Sequence, residues 1–439
     1  LAEKLLYGFR FMELIINKST LKGTVNIPAS KSHTIRAVAI AALAPGESVI
    51  ERPLESADAR AARRAYALLG ADVAVEQDCW RIQGTAGMPT APADVINVEN
   101  SGTTMRMALG SAALLGSGMA VLTGDAQVRR RPCGPLVQAL NALGAEVRST
   151  RREGFPPFVV SGKLRGGEAK VEAVTSQYIS ALLLNAPLAE KDTRLQVPLL
   201  NEKPYVVMTL DWLEKQGVAV QHDGGLSEFF IPGGQQYLPV NRVVPADFSS
   251  ATFFLAAGAL PGNEVSCLGL DMEDPQGDKE VITYLKAMGA RVDDLGERGI
   301  RVAAGTLRGC ELDLNATPDA LPMMATLACF AEGTTRLVNV PQARLKETDR
   351  ILVMREELTK LGAHISELED GLVIAGGALN GGVVEGHDDH RVVMALAVAA
   401  TAIDENVVIR GAEAVGVTYP EFTQHLRQLG GCIAAREMP

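Results

Sequence analysis

Six glycines at near-constant pitch constrain this chain more than any other feature of it. Gly70, Gly144, Gly217, Gly289, Gly362 and Gly430 each close a helical stretch, in LLGADV, ALGAEV, KQGVAV, AMGARV, KLGAHI and QLGGCI, at spacings of 74, 73, 72, 73 and 68 residues. A helix ends with least strain on a residue in the left-handed region, which glycine adopts freely, and the residues after each glycine alternate toward strand. After four of the six a further strand-like segment follows: EGFPPFVVSG, SEFFIPGG, RGIRVAAG and DGLVIAGG. These read as hairpin-like pairs, so the repeating unit holds two helices and several strands. Such a unit exceeds the roughly 20–50 residues of a solenoid repeat, and six of them suit two domains of three. The matching segments NIPASK around Pro28 and VVPADF around Pro245 are the expected crossovers.

Bulk properties agree with an α/β chain of this size. With 439 residues, 47% of them apolar, the chain is long enough for at least two cores. A net charge of −10 argues against a broad nucleic-acid or acidic-membrane surface, so any positive site must be local. Cys79, Cys133, Cys267, Cys310, Cys329 and Cys432 are scattered, without a CxxC pair or a zinc-like Cys/His spacing. They read as reduced thiols of a cytoplasmic protein. Apolar runs such as Met394 to Ile403 fall short of the roughly 18 residues of a membrane span. Residues 1–11 precede Met12 without the features of a signal peptide and read as a leader outside the fold.

Polar residues keep the same pitch. Between 39 and 44 residues before each glycine stand Lys31-Ser32, Asn100-Ser101-Gly102-Thr103, Thr175-Ser176-Gln177, Asp247-Phe248-Ser249-Ser250, Asp319, and Asp389-His390-Arg391. Each precedes an apolar helical run, which places it at a helix N-terminus. N-capping accounts for Ser, Thr, Asn and Asp at such positions, but not for Lys31, Gln177 or Arg391. A helix start presents free N–H groups and positive potential, and with a Lys or Arg beside it suits phosphate or carboxylate. A second set lies about 13 residues before the glycines: Arg131 in RRRP, Lys203 in EKPY, and Lys346-Glu347-Thr348-Asp349-Arg350. Read singly, RRRP is a solvated basic turn and KETDR a salt-bridged helix start; the shared register joins both to the polar groups above.

Together the segments PASKSHTIRA, ENSGTTMR, GDAQVRRRP, TSQY, EKPY, DFSSATFFLAA, PDA, KETDR and DHR resemble the enolpyruvyl transferase family, from Met12 to the C-terminus. KETDR and DHR, with SKSxTxRA, place the resemblance in its 5-enolpyruvylshikimate-3-phosphate synthase branch. The sister branch, acting on UDP-N-acetylglucosamine, shares the fold, but KETDR and DHR argue for the shikimate branch. The resemblance implies two domains, each of three βαβαββ units with helices inside, that close like a clamshell. One domain would hold residues 12–28 plus 246–439 and the other 29–245. It also implies a monomer of the shikimate pathway, serving chorismate and aromatic amino acid biosynthesis. Its reaction moves the carboxyvinyl group of phosphoenolpyruvate to the 5-hydroxyl of shikimate 3-phosphate through a tetrahedral intermediate, releasing phosphate. No metal or organic cofactor is implied, and no nucleic acid or membrane partner.

By resemblance, Lys31, Ser32, Arg36, Thr175, Ser176, Gln177, Tyr205, Asp319, Gln342 and Lys346 would hold shikimate 3-phosphate. Lys31, Asn100, Gly102, Arg131, Gln177, Arg350 and Arg391 would hold phosphoenolpyruvate. The chemistry needs a base for the hydroxyl and an acid for the vinyl carbon, for which Lys31, Asp319 and Glu347 are the candidates. Cations around Asp319 would keep it ionised, while Glu347, if desolvated, would carry a proton; the step each performs stays open. The chain departs from the family pattern at Val417 of GVTYP, where a lysine is expected, and at Glu202, in place of a serine that meets the shikimate phosphate. Gln342 replaces an asparagine, Ala29 a glycine and Met107 a proline. These departures leave two other readings: a paralogue with altered anionic substrates, and a ligand-binding paralogue without catalysis.

Overall fold

In the computed structural model, residues 11–438 are described, and the chain packs as two compact units. One holds the described residues up to Pro28 together with those from Ala246 onward; the other is Ala29–Pro245. Among the described residues there are six four-stranded sheets, three in each unit, all built to one plan. In the sheet nearest the crossover, Lys22–Asn26 runs parallel to Glu264–Leu268, joined through the helix Phe248–Ala259. Glu264–Leu268 then pairs antiparallel with Ile300–Ala303, and that strand with Arg291–Asp294. The order is strand, helix, strand, helix, then a hairpin.

The first helix of each repeat is buried on nearly every face and lies inside its unit. Every residue of Phe248–Ala259, Leu321–Cys329 and His390–Ala400 is buried, and Lys31–Leu43 is buried from His33 onward. A helix without a polar face has to be covered all round, which the surrounding sheets and second helices do. The second helices, such as Ala57–Leu68 and Arg350–Lys360, bury one side only. All six stop glycines have positive φ, between 69° and 104°, as the helix-stop reading requires.

Two features of the repeat differ from the sequence reading. A further strand follows five of the six glycines, not four, because Cys79–Gln83 pairs with Asp72–Val75 after Gly70. Its apolar signal is only two residues long, Trp80 and Ile82, and is easily passed over. The sixth repeat lacks that local strand, and Phe11–Asn17 fills its place between Val407–Arg410 and Cys432–Met438. The fold therefore begins by Phe11, one residue inside the segment read as a leader; residues 1–10 lie outside the described residues. The first repeat is completed in the same manner, by Asn241–Val243 running parallel to Glu47–Glu51. Among the described residues, no helix is long and apolar enough to cross a membrane.

Candidate active site

Within the unit that includes Ala246 onward, three helix starts deliver one network of charge. Asp349 caps Arg350–Lys360 by accepting from the Leu352 N–H, and this fixes Arg350 at the first helical position. Asp389 caps His390–Ala400 by accepting from the Arg391 N–H at 2.9 Å. Asp319 stands in the 3₁₀ turn Pro318–Ala320 that leads into Leu321–Cys329.

Arg350, 1% exposed, is the hub. Its Nε donates to Asp389 Oδ2 at 2.8 Å and its Nη2 to Asp389 Oδ1 at 3.2 Å. Nη2 also donates to Glu347 Oε2 at 2.7 Å, and Nη1 to Asp319 Oδ1 at 2.8 Å. Burial alone would lower the guanidinium pKa, but the three carboxylates reverse this and raise it. Asp319 is gripped from two further sides, by Arg391 Nη2 on Oδ2 at 3.0 Å and by Lys346 Nζ at 3.5 Å from Oδ1. Burial works to raise its pKa, and attraction to Arg391, Lys346 and Arg350 prevails, holding the carboxyl well below the usual carboxylate range. Three carboxylates and three cations thus form a network close to neutral, and any anion arriving there competes with Asp319 for its cations.

The other predicted residues of this unit lie at the margin. The Gln342 side-chain amide donates to the Asn315 carbonyl at 2.9 Å, while its Oε1 is buried without a hydrogen-bond partner among the described residues. Asp247 and Ser250 bond each other at the start of Phe248–Ala259, whose Phe248 N–H is satisfied by Gln276. Asp247 makes no side-chain cap bond to this helix, and Arg391 Nη1 reaches the Ser249 carbonyl at 3.4 Å.

Ala29–Pro245 carries three groups of predicted residues. Lys31, at the start of Lys31–Leu43, pairs with Asp58 at 3.1 Å, while Arg36, one turn on, is buried and fully engaged. Its Nε donates to Thr209 Oγ1, Nη1 to the Ser32 carbonyl, and Nη2 to Ser180 Oγ and the Tyr205 carbonyl. These partners are neutral, and burial lowers its pKa to about 10.

In the second group, Gly102 lies beneath two guanidinium groups. A Cβ on it would come within 2.3 Å of Arg131 Nη1 and 2.7 Å of Arg106 Nη1, so only glycine leaves both arginines in place. Arg106 Nη1 donates to the Gly102 carbonyl and to Gln177 Oε1, which ties the second repeat to the third. Asn100 donates to Asp125 at 2.7 Å and to Gln127. In the third group, Thr175 and Ser176 both bond the carboxylate of Glu202. Among the described residues no group of three or more His, Cys, Asp or Glu is placed to hold a metal ion.

With this geometry in view, the chain was compared with known proteins. Residues 15–426 match the family model for EPSP synthase (3-phosphoshikimate 1-carboxyvinyltransferase). The chain belongs to the EPSP synthase family. It is 52% identical over 427 residues to a 3-phosphoshikimate 1-carboxyvinyltransferase of Acetivibrio thermocellus, covering 97% of this chain and 100% of the relative. A second of that description, from Ruminiclostridium cellulolyticum, is 49% identical over 422 residues, covering 96% and 99%. Among solved structures, an EPSP synthase from Acinetobacter baumannii superposes with a TM-score of 0.81 at 28% identity, covering 97% of this chain and 100% of that one.

The EPSP synthase motifs hold most of these side chains, but four residues that complete the groups were not assigned to a substrate from the sequence, although Asp389 stood among the helix starts and Glu202 among the departures from the family pattern. Asp58 partners Lys31, Arg106 shares Gly102 with Arg131, Asp389 anchors Arg350, and Glu202 occupies Thr175 and Ser176. Asp58 stood in plain register, 12 residues before Gly70, where Arg350 stands before Gly362. Arg106 ends the segment ENSGTTMR and Asp389 opens DHR, so their signal was also present.

Proposed function

We propose that this chain transfers the carboxyvinyl group of phosphoenolpyruvate to the 5-hydroxyl of shikimate 3-phosphate and releases phosphate. Membership of the EPSP synthase family supports it, as do whole-length relatives of that description at up to 52% identity. The observation that carries it is Asp319, a carboxylate held ionised among Arg350, Lys346 and Arg391.

The substrates carry phosphate and carboxylate groups that suit Arg391 and Lys346, and their binding would draw these cations away from Asp319. Its pKa then rises toward the ordinary range, and a carboxylate too weakly basic by itself becomes able to take the 5-hydroxyl proton. The hydroxyl oxygen bonds to C2 of phosphoenolpyruvate while C3 gains a proton. The resulting ketal loses phosphate from C2 and a proton from C3, restoring the double bond in the product. Lys31 and Glu347 are the proposed partners in the proton transfers at C3. Arg106, Arg131 and Gly102 are assigned to one anion of phosphoenolpyruvate, and the buried Oε1 of Gln342 to a shikimate hydroxyl donor.

The test is a phosphate-release assay with both substrates, run beside Asp319→Ala. Release that depends on shikimate 3-phosphate and is lost in the variant is the expected result. Wild-type release no greater than that of Asp319→Ala would sink the assignment.

A further inference from the structure

Glu202 is a carboxylate where the proposed reaction calls for an anion from outside. The residue is 1% exposed, and one oxygen, Oε2, accepts three hydrogen bonds. They come from the Thr175 hydroxyl at 3.1 Å, the Ser176 hydroxyl at 2.7 Å and the Ser176 backbone N–H at 3.1 Å. Ser176 immediately precedes the helix Gln177–Asn185, so this is a helix start with two hydroxyls beside it, the donor set that a phosphate oxygen takes. Glu202 holds a left-handed backbone, φ 59° and ψ 41°, which is unfavourable for any residue with a side chain and persists only where the surroundings impose it. The strained backbone, the burial and the three donors all point the same way: the chain is built to keep this carboxylate on these donors.

We propose that Glu202 is an internal surrogate for the phosphate of shikimate 3-phosphate, occupying its donors until the substrate displaces it, and so sets the affinity of the site for that phosphate. The inference rests on the assignment of Thr175 and Ser176 to shikimate 3-phosphate made above. The physical reason is exclusion. A carboxylate and a phosphate cannot share three donors at one helix start, because two anions at contact distance in a buried setting repel strongly. A carboxylate that served only as a helix cap would add stability and leave ligand affinity alone. A surrogate opposes one ligand group, the phosphate, and nothing else.

The experiment measures equilibrium binding of shikimate 3-phosphate, shikimate and inorganic phosphate to the wild-type chain, Glu202→Ser and Glu202→Gln. Glutamine keeps an acceptor oxygen for the Ser176 N–H without the charge, so it serves if the serine variant folds poorly by circular dichroism. Both variants are expected to bind shikimate 3-phosphate about tenfold more tightly or better, with shikimate changed by less than about twofold. Inorganic phosphate should bind the variants about tenfold more tightly as well, and Thr175→Ala added to Glu202→Ser should abolish that gain. Folded variants whose affinity for both phosphate ligands is unchanged or weaker would overturn the proposal. An equal gain for shikimate would overturn it too. If the wild type binds neither shikimate ligand, the functional assignment fails, and the inorganic phosphate arm alone decides for or against the surrogate.

Discussion

Replacing Asp389 tests the network around Arg350 most directly. Asp389 is 0% exposed and does two things: its carboxylate takes Nε and Nη2 of Arg350, and its Oδ1 caps His390–Ala400 through the Arg391 N–H. Removing one partner of a buried ion pair costs about 3–5 kcal/mol, toward the lower end here because Asp319 and Glu347 still hold Arg350, and losing a cap costs about 1 kcal/mol. Asp389→Ala should therefore destabilise its unit by roughly 4 kcal/mol, and Asp389→Asn, which retains an acceptor for the cap, by about 1 kcal/mol less. The readout is native-state hydrogen exchange at the amides of Arg350–Lys360 and His390–Ala400. These should exchange about a thousandfold faster in the alanine variant, since each 1.4 kcal/mol is a factor of ten. Both tryptophans, Trp80 and Trp212, lie in Ala29–Pro245, so their emission reports separately on the other unit. Protection in the two helices within about tenfold of wild type would refute the idea that Arg350 depends on Asp389 for its counter-charge.

Three further outcomes are expected. Gly102→Ala puts a methyl group against Arg131 and Arg106; it should raise the KM for phosphoenolpyruvate by about tenfold or more while circular dichroism and the melting temperature stay near wild type. His387, hydrogen-bonded to Glu357 at 2.6 Å, has a pKa raised above 6.5, chiefly by that bond. Because the folded value is the higher one, its contribution is fully present below about pH 6.5 and is lost as pH rises through the folded pKa. His387→Asn, which tolerates the left-handed backbone at φ 51°, should therefore lower the urea midpoint at pH 6 and do so less at pH 9; an equal loss at both would contradict the linkage. Val417→Lys restores a cation that the family pattern expects and should lower the KM for phosphoenolpyruvate, by up to about two orders of magnitude if a charged hydrogen bond of about 1.5–3 kcal/mol forms. An unchanged KM would show that Val417 stands outside the anion's reach.

The sequence alone determined the repeat and the helix starts, because both are written in short-range chemistry. A left-handed stop at Gly70 or Gly362, and an Asp or Ser before an apolar helical run, are decided within a turn or two of chain. Only the tertiary structure decided which charge meets which. The pairing of Lys31 with Asp58, of Arg350 with Asp319 and Asp389, and of Glu202 with Thr175 and Ser176 joins segments 26 to 39 residues apart, across whole helices and strands. The closure of the sixth sheet by Phe11–Asn17 joins residues such as Glu13 and Arg436, separated by 423 positions. Backbone propensity and capping act locally and leave a trace in composition and spacing. Ion pairing and strand closure depend on distance in space, which a list of residues carries only where repetition happens to place them in register.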